Sequence, residues 1–70
     1  MSFAEAIKQI RCKCLLSQEA FAKTLGVSFT TVNRWENGKS KPSLKALRII
    51  DEYCKKNNID FDVNKYTSGL

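Results

Sequence analysis

The sequence predicts an all-α fold, a compact bundle of four or five helices in one small domain. The chain has 70 residues, which is enough for one hydrophobic core but not for two. Apolar residues recur at helical spacing in four successive segments, and a serine precedes each segment where a helix N-cap is expected. Runs of strand-forming residues are few, and the chain contains a single proline.

The first helix is predicted from Phe3 to Cys14. Ser2 and Glu5 have the Ser-x-x-Glu spacing of a capping box, in which each side chain hydrogen-bonds the backbone of the other residue. The apolar residues that share one face of this helix are Phe3, Ile7, Ile10 and Cys14. That face is expected to lie on the core.

Two short helices joined by a glycine turn come next. Ser17 is predicted to cap the second helix, and Gly26 to end it, because glycine adopts the left-handed conformation of a helix end without strain. Ser28 is predicted to cap the third helix, about residues 29–36. The residues expected at the helix crossing and on its inner side are Ala22, Gly26, Val32 and Trp35.

A fourth helix is predicted over roughly residues 44–57, after a short basic loop and an N-cap at Ser43. We therefore divide the chain into a domain of residues 1–58 and a C-terminal tail of residues 59–70. Alternating apolar residues in the tail give a faint strand signal, so an extended tail, a short helical turn and an irregular segment all stay open. These apolar residues are Ile59, Phe61 and Val63. With Ile49, the last two either cover the monomer core or contribute to a dimer interface.

Composition restricts the class of function. The chain carries 12 Lys and Arg against 7 Asp and Glu, a net charge of +5, and this basic surplus favours a polyanionic partner. It contains no histidine, glycine-rich phosphate loop or group of converging carboxylates, and it is too short to enclose a pocket. An enzyme is therefore not expected, and neither is a cofactor, a metal or a small-molecule ligand.

The cysteines and the hydropathy indicate a cytoplasmic location. The three cysteines are an odd number, and Cys12 and Cys14 point to nearly opposite faces of a helix, which argues against a disulfide framework or a metal site. No apolar run approaches the roughly 18 residues of a membrane span, so no membrane contact is expected. No signal peptide opens the chain.

The stretch LSQEAFAKTLGVSFTTVNRWENGKSKPS, from Leu16 to Ser43, resembles the phage repressor and Cro-type helix-turn-helix domain, also called XRE-like. The elements SQ, A, LGVS, V, WENG and KP, in one register, carry the resemblance, with support from Arg11 upstream. The resemblance implies a lambda-repressor-like fold that binds double-stranded DNA with the third helix in the major groove. It fades after about Asn57.

The resemblance also implies roles for individual residues. Base contacts are implied for Phe29, Thr30, Thr31, Asn33 and Arg34. Phosphate contacts are implied for Ser17, Gln18, Ser28, Asn37, Lys39, Ser40 and Lys41. A structural salt bridge is implied between Arg11 and Glu36. The side-chain chemistry suits these roles, since arginine bonds guanine, asparagine bonds adenine, and threonine offers a hydroxyl and a methyl.

Two positions depart from the family pattern. Many relatives have glycine where Leu15 stands, at the end of the first helix, so leucine is strained there if its backbone is left-handed. Phe29 is an unusual first residue for a recognition helix. It either meets a thymine methyl group or packs against Val27 or the end of the second helix.

The expected function is a sequence-specific transcriptional regulator that binds two-fold DNA sites as a homodimer. Because 70 residues leave no room for a ligand-sensing domain, we expect a repressor that acts by occupying a promoter or operator. The alternative is an antitoxin-like or phage accessory module that binds a protein partner through the fourth helix and the tail.

Overall fold

A computed structural model describes residues 1–67. Its four α-helices are α1 (Phe3–Lys13), α2 (Gln18–Leu25), α3 (Phe29–Glu36) and α4 (Leu44–Lys56), and a 3-10 helix follows at Val63–Tyr66. Residues 1–67 contain no strand, and the all-α prediction is confirmed. α1 and α4 each end one residue earlier than predicted, because Cys14 and Asn57 serve as C-caps rather than as helical residues.

The four helix starts are set by local sequence. Each predicted serine lies in extended backbone, and its hydroxyl accepts a hydrogen bond from the backbone N–H three residues later. These caps are Ser2, Ser17, Ser28 and Ser43. α2 and α3 have only 8 residues each, too few for a stable isolated helix, so they depend on packing against the rest of the domain.

One hydrophobic cluster joins the four helices. Its buried members are Ile7, Ile10, Phe21, Ala22, Leu25, Val32, Trp35, Ala46, Ile50 and Cys54. Ala22 is 2% exposed, in keeping with a small residue where α2 packs closely against its neighbours. Trp35 is 3% exposed, and its ring meets Phe3 of α1 edge to face at 5.8 Å between centroids. Both residues therefore belong to the core, as predicted.

The tail folds back on α1. Phe61 packs against the core and stacks on Tyr66 at 5.4 Å, and Tyr66 meets Phe3 edge to face at 5.5 Å. Of the three conformations that the sequence left open, the structure has the short helical turn, and Asp62 caps it by accepting from the Asn64 N–H. The last predicted tail residues, 68–70, lie outside the described residues. The domain boundary and the role of the tail in a dimer stay predictions.

The corner between α1 and α2 is left-handed at a leucine. Leu15 has φ +56° and is 93% exposed, so its side chain gains little packing to offset the strain of about 1–2 kcal/mol that a non-glycine residue carries in this conformation. Arg11 stabilises this corner, because its Nη1 donates to the Leu16 carbonyl at 2.9 Å. The turn between α2 and α3 is also left-handed, but glycine occupies it, with φ +74° at Gly26.

A bidentate ion pair ties α1 to the end of α3. Arg11 Nε lies 2.7 Å from Glu36 Oε2, and Arg11 Nη2 donates to Glu36 Oε1 at 2.9 Å. The side chains are 15% and 4% exposed, so water screens the pair little. Burial acts to raise the pKa of Glu36, but hydrogen bonds from Arg11 and Gln18 and the Arg11 charge outweigh it and hold that pKa below the usual 4.5.

None of the helices in residues 1–67 has both the length and the apolar composition that crossing a bilayer requires.

The two left-handed corners give a paired stability prediction. Leu15→Gly removes the strain and little packing, so we expect the free energy of unfolding to rise by about 1 kcal/mol. Gly26→Ala introduces the same strain, although a Cβ there would meet no atom within 4 Å, and should lower the free energy of unfolding by about 1 kcal/mol. Urea unfolding measures both. Equal signs for the two substitutions would contradict the strain argument.

The ion pair gives a pH prediction. Because folding lowers the pKa of Glu36, its contribution to stability is present above pH 4.5 and is lost as pH falls through the lower folded-state pKa. The Glu36→Gln variant has no titrating carboxyl group at this position, so its stability lacks this pH-dependent contribution. Urea unfolding on both sides of pH 4.5 should therefore show the stability difference between wild type and Glu36→Gln shrinking at acid pH. A difference that stays constant across that range would refute the assignment.

Candidate nucleic-acid interface

α3 has an anchored face and an open face. Val32 and Trp35 are 0% and 3% exposed and fix the rotation of the helix about its axis. The side chains of Phe29, Thr30 and Arg34 are left on the surface. Three of the five predicted base-contacting residues therefore share an accessible side of a helix whose orientation the core determines. Phe29 is 50% exposed and does not belong to the core cluster.

The other two predicted base contacts are engaged within the protein. The Thr31 hydroxyl lies 2.8 Å from the Ser28 hydroxyl, at the N-terminal cap of α3. Asn33 Nδ2 donates to Gln18 Oε1 of α2 at 3.1 Å. Both residues are only partly exposed. The sequence pattern could not show the pairing of Asn33 with Gln18, because hydrogen bonds between side chains on different helices leave no periodic signal.

The start of α2 lies against the end of α3. The Ser17 hydroxyl accepts from the Ala20 N–H as the N-cap of α2. Gln18 follows it, and its Nε2 donates to Glu36 Oε1 at 3.1 Å. Gln18, one of the two predicted phosphate contacts at this helix end, therefore adjoins the Arg11–Glu36 pair, in which Arg11 neutralises the carboxylate that Gln18 contacts.

A basic loop borders the open face of α3 on the other side. Asn37 ends α3 as its C-cap, and exposed Lys39 and Lys41 follow, with Ser40 partly buried between them. Arg34 Nη2 lies 3.5 Å from the Lys39 carbonyl oxygen, so the arginine reaches along the helix toward the loop. The predicted base reader Arg34 therefore adjoins the loop that carries the predicted phosphate contacts Lys39, Ser40 and Lys41.

Sequence reasoning missed Lys45 in the first turn of α4. Lys45 is exposed and lines a groove together with Thr31 and Lys41. The signal was available in the charge pattern. Residues 27–50 contain five basic side chains, and Glu36 is their one acidic residue. The basic residues are Arg34, Lys39, Lys41, Lys45 and Arg48.

Because Arg11 neutralises Glu36, this surface carries its positive charge without a competing free carboxylate from the same segment. Hydrogen-bond donors beside lysines and an arginine suit a nucleic acid, in which anionic phosphates lie beside base edges that carry hydrogen-bonding groups. Within residues 1–67, no three cysteine, aspartate or glutamate side chains are grouped so that they could hold a metal ion.

Two comparisons with known proteins gave a match. The Helix-turn-helix family model matches residues 7–57. The chain is 38% identical over 53 residues to the HTH-type transcriptional activator BcrR of Enterococcus faecalis. That match covers 76% of this chain and only 26% of the relative, so the chain spans about a quarter of the length of that protein. No solved structure matched the chain.

The family match spans most of the chain and includes the Arg11–Glu36 pair, the glycine turn and both faces of α3. The chain belongs to the XRE-like helix-turn-helix family of DNA-binding regulators.

Proposed function

We propose that this protein is a sequence-specific DNA-binding transcriptional regulator that places α3 in the major groove. The observation that carries the proposal is the open face of α3 beside the basic loop of residues 39–41. A helix about 10–12 Å across fits a major groove about 12 Å wide. The buried anchors Val32 and Trp35 hold the opposite face of α3 away from the groove.

In this arrangement the residues divide into two roles. Thr30 and Arg34 read base edges, and Phe29 meets a thymine methyl group with its exposed ring. Lys39, Lys41, Ser40 and Asn37 hold phosphates on one side of the groove, and Gln18, Ser17 and Ser28 hold phosphates on the other. Lys45 joins the first phosphate-binding group, because it lines the same groove as Lys41.

The finer parts of the proposal are repression and dimeric binding. Repression by occupancy requires only that the DNA site overlap a promoter, whereas activation requires an additional contact with the transcription machinery. The relative in Enterococcus faecalis is described as an activator, so the direction of regulation needs its own measurement. A homodimer would place two copies of α3 on half-sites about one helical turn apart. The cytoplasmic location stays a prediction.

A selection from a random double-stranded DNA pool tests the function. We expect enrichment of a two-fold symmetric sequence whose half-sites are about 10–10.5 base pairs apart. A reporter with this sequence across its promoter should fall in output when the protein is expressed, and a rise would assign activation instead. Absence of any enriched sequence, together with a protein partner that co-purifies in equal amount, would replace the proposal with the protein-binding module.

Two substitutions separate base reading from phosphate binding. Arg34→Ala should relax the preference at one base pair and weaken binding to the preferred sequence by about 1–3 kcal/mol. Lys39→Ala should weaken binding evenly across sequences and reduce the slope of log K against log salt by about 1. Fluorescence titrations with DNA at several salt concentrations measure both effects.

Lys56→Ala is the matched control, because Lys56 is an exposed lysine in the last turn of α4, outside the proposed surface. It should leave the preferred sequence unchanged and alter the salt slope less than Lys39→Ala does. An unchanged sequence preference in Arg34→Ala would show that Arg34 does not read a base.

A further inference from the structure

Three amides that the sequence assigned to DNA contact form a single chain of hydrogen bonds that ends on the Arg11–Glu36 pair. Gln18 Nε2 donates to Glu36 Oε1 at 3.1 Å, and Asn33 Nδ2 donates to Gln18 Oε1 at 3.1 Å. Asn37 Nδ2 in turn donates to Asn33 Oδ1 at 3.2 Å and to the Asn33 carbonyl at 2.8 Å. The chain links the first residue of α2 to the C-cap of α3.

The ionised carboxylate gives this chain one direction. Glu36 can only accept hydrogen bonds, so Gln18 must turn its NH₂ group toward Glu36 and its carbonyl oxygen toward Asn33. Asn33 must then present its own NH₂ group to Gln18. Arg11 donates to both carboxylate oxygens and keeps the charge in place. A flipped Gln18 would put its carbonyl oxygen against the carboxylate.

The direction of these hydrogen bonds determines which amide N–H groups remain available to a ligand. Among the contacts of residues 1–67, Gln18 and Asn33 each use one of the two N–H groups of their amide nitrogens in this chain. Each amide therefore keeps one N–H for another acceptor, and Gln18 stands in the first turn of α2, where free backbone N–H groups also favour an anion. A phosphate oxygen can accept from the free N–H of the Gln18 amide and from the backbone N–H groups at the start of α2.

From this geometry we propose that Asn33 is a positioning residue: it holds Gln18 in the orientation that binds a DNA phosphate, and it does not itself read a base. This inference rests on the proposed DNA-binding function and changes the role that the sequence pattern gave to Asn33. The residues that read bases on α3 are then the exposed ones, with Arg34 as the principal reader. Glu36 and Asn37 lie at the two ends of this chain of hydrogen bonds.

The test is a double-mutant cycle with a full sequence profile. Dissociation constants are measured for wild type, Asn33→Ala, Gln18→Ala and the double variant, on the selected DNA site and on every single-base-pair variant of it. Loss of one positioned hydrogen bond predicts that Asn33→Ala weakens binding to all these sequences by a similar factor, about three- to tenfold. The order of sequence preference should not change. The double variant should bind no more weakly than Gln18→Ala.

Asn57→Ala is the matched control. Like Asn33→Ala, it removes an asparagine amide that donates one hydrogen bond, here to the Tyr53 carbonyl at 2.8 Å, but it does so at the far end of α4. It should not change DNA binding. Thermal unfolding verifies that every variant is folded, and Asn33→Ser replaces Asn33→Ala if the alanine variant is not.

Three other outcomes would overturn the inference, and each has a different meaning. A changed preference at one base pair in Asn33→Ala makes Asn33 a base reader. Additive losses in the double variant mean that Asn33 and Gln18 act independently, and unaltered binding means that Asn33 has no part. Wild-type protein that selects no DNA sequence would instead refute the proposed function, on which the inference rests.

Discussion

Arg11 makes one set of contacts on which the rest of the domain depends. Its guanidinium donates to both oxygens of Glu36 on α3 and to the carbonyl of Leu16 at the start of the chain segment that leads into α2. Three parts of the fold therefore meet at one planar group. A lysine could not reproduce this, because its ammonium group lacks the fixed fork of donors that fits a carboxylate.

The same pair also shapes the electrostatics of the proposed DNA surface. Without Arg11, Glu36 would place an unpaired, 4% exposed carboxylate at the end of the helix proposed to enter the groove. Paired, it becomes the acceptor that directs Gln18 and, through Gln18, Asn33. The stability of the fold and the orientation of the polar groups that face a ligand thus both depend on the Arg11–Glu36 pair. A substitution in this pair is therefore expected to change both properties together.

Local features of this protein were predictable from its sequence, and contacts between elements were less so. The serine caps and Gly26 act on the backbone within a few residues, so their positions predicted the four helix starts and the end of α2. The inward positions of Val32 and Trp35 followed from helical spacing. The pairing of Asn33 with Gln18 did not, because it depends on how two helices cross. The tail was ambiguous for a similar reason: its alternating apolar residues suit a strand, but packing of Phe61 and Tyr66 near Phe3 favoured a helical turn.

The shortness of α3 has a consequence for how such a protein changes its target. Its 8 residues do not persist as a free peptide, so recognition cannot be moved to another protein by transferring the helix alone. The inward anchors and the outward side chains, however, occupy different positions of that helix, and exchanging the outward ones leaves the core intact. In the proposed mode of DNA binding, only a few exposed α3 positions contact bases, so we expect a handful of codon changes to redirect the domain to a new DNA sequence while its core stays the same.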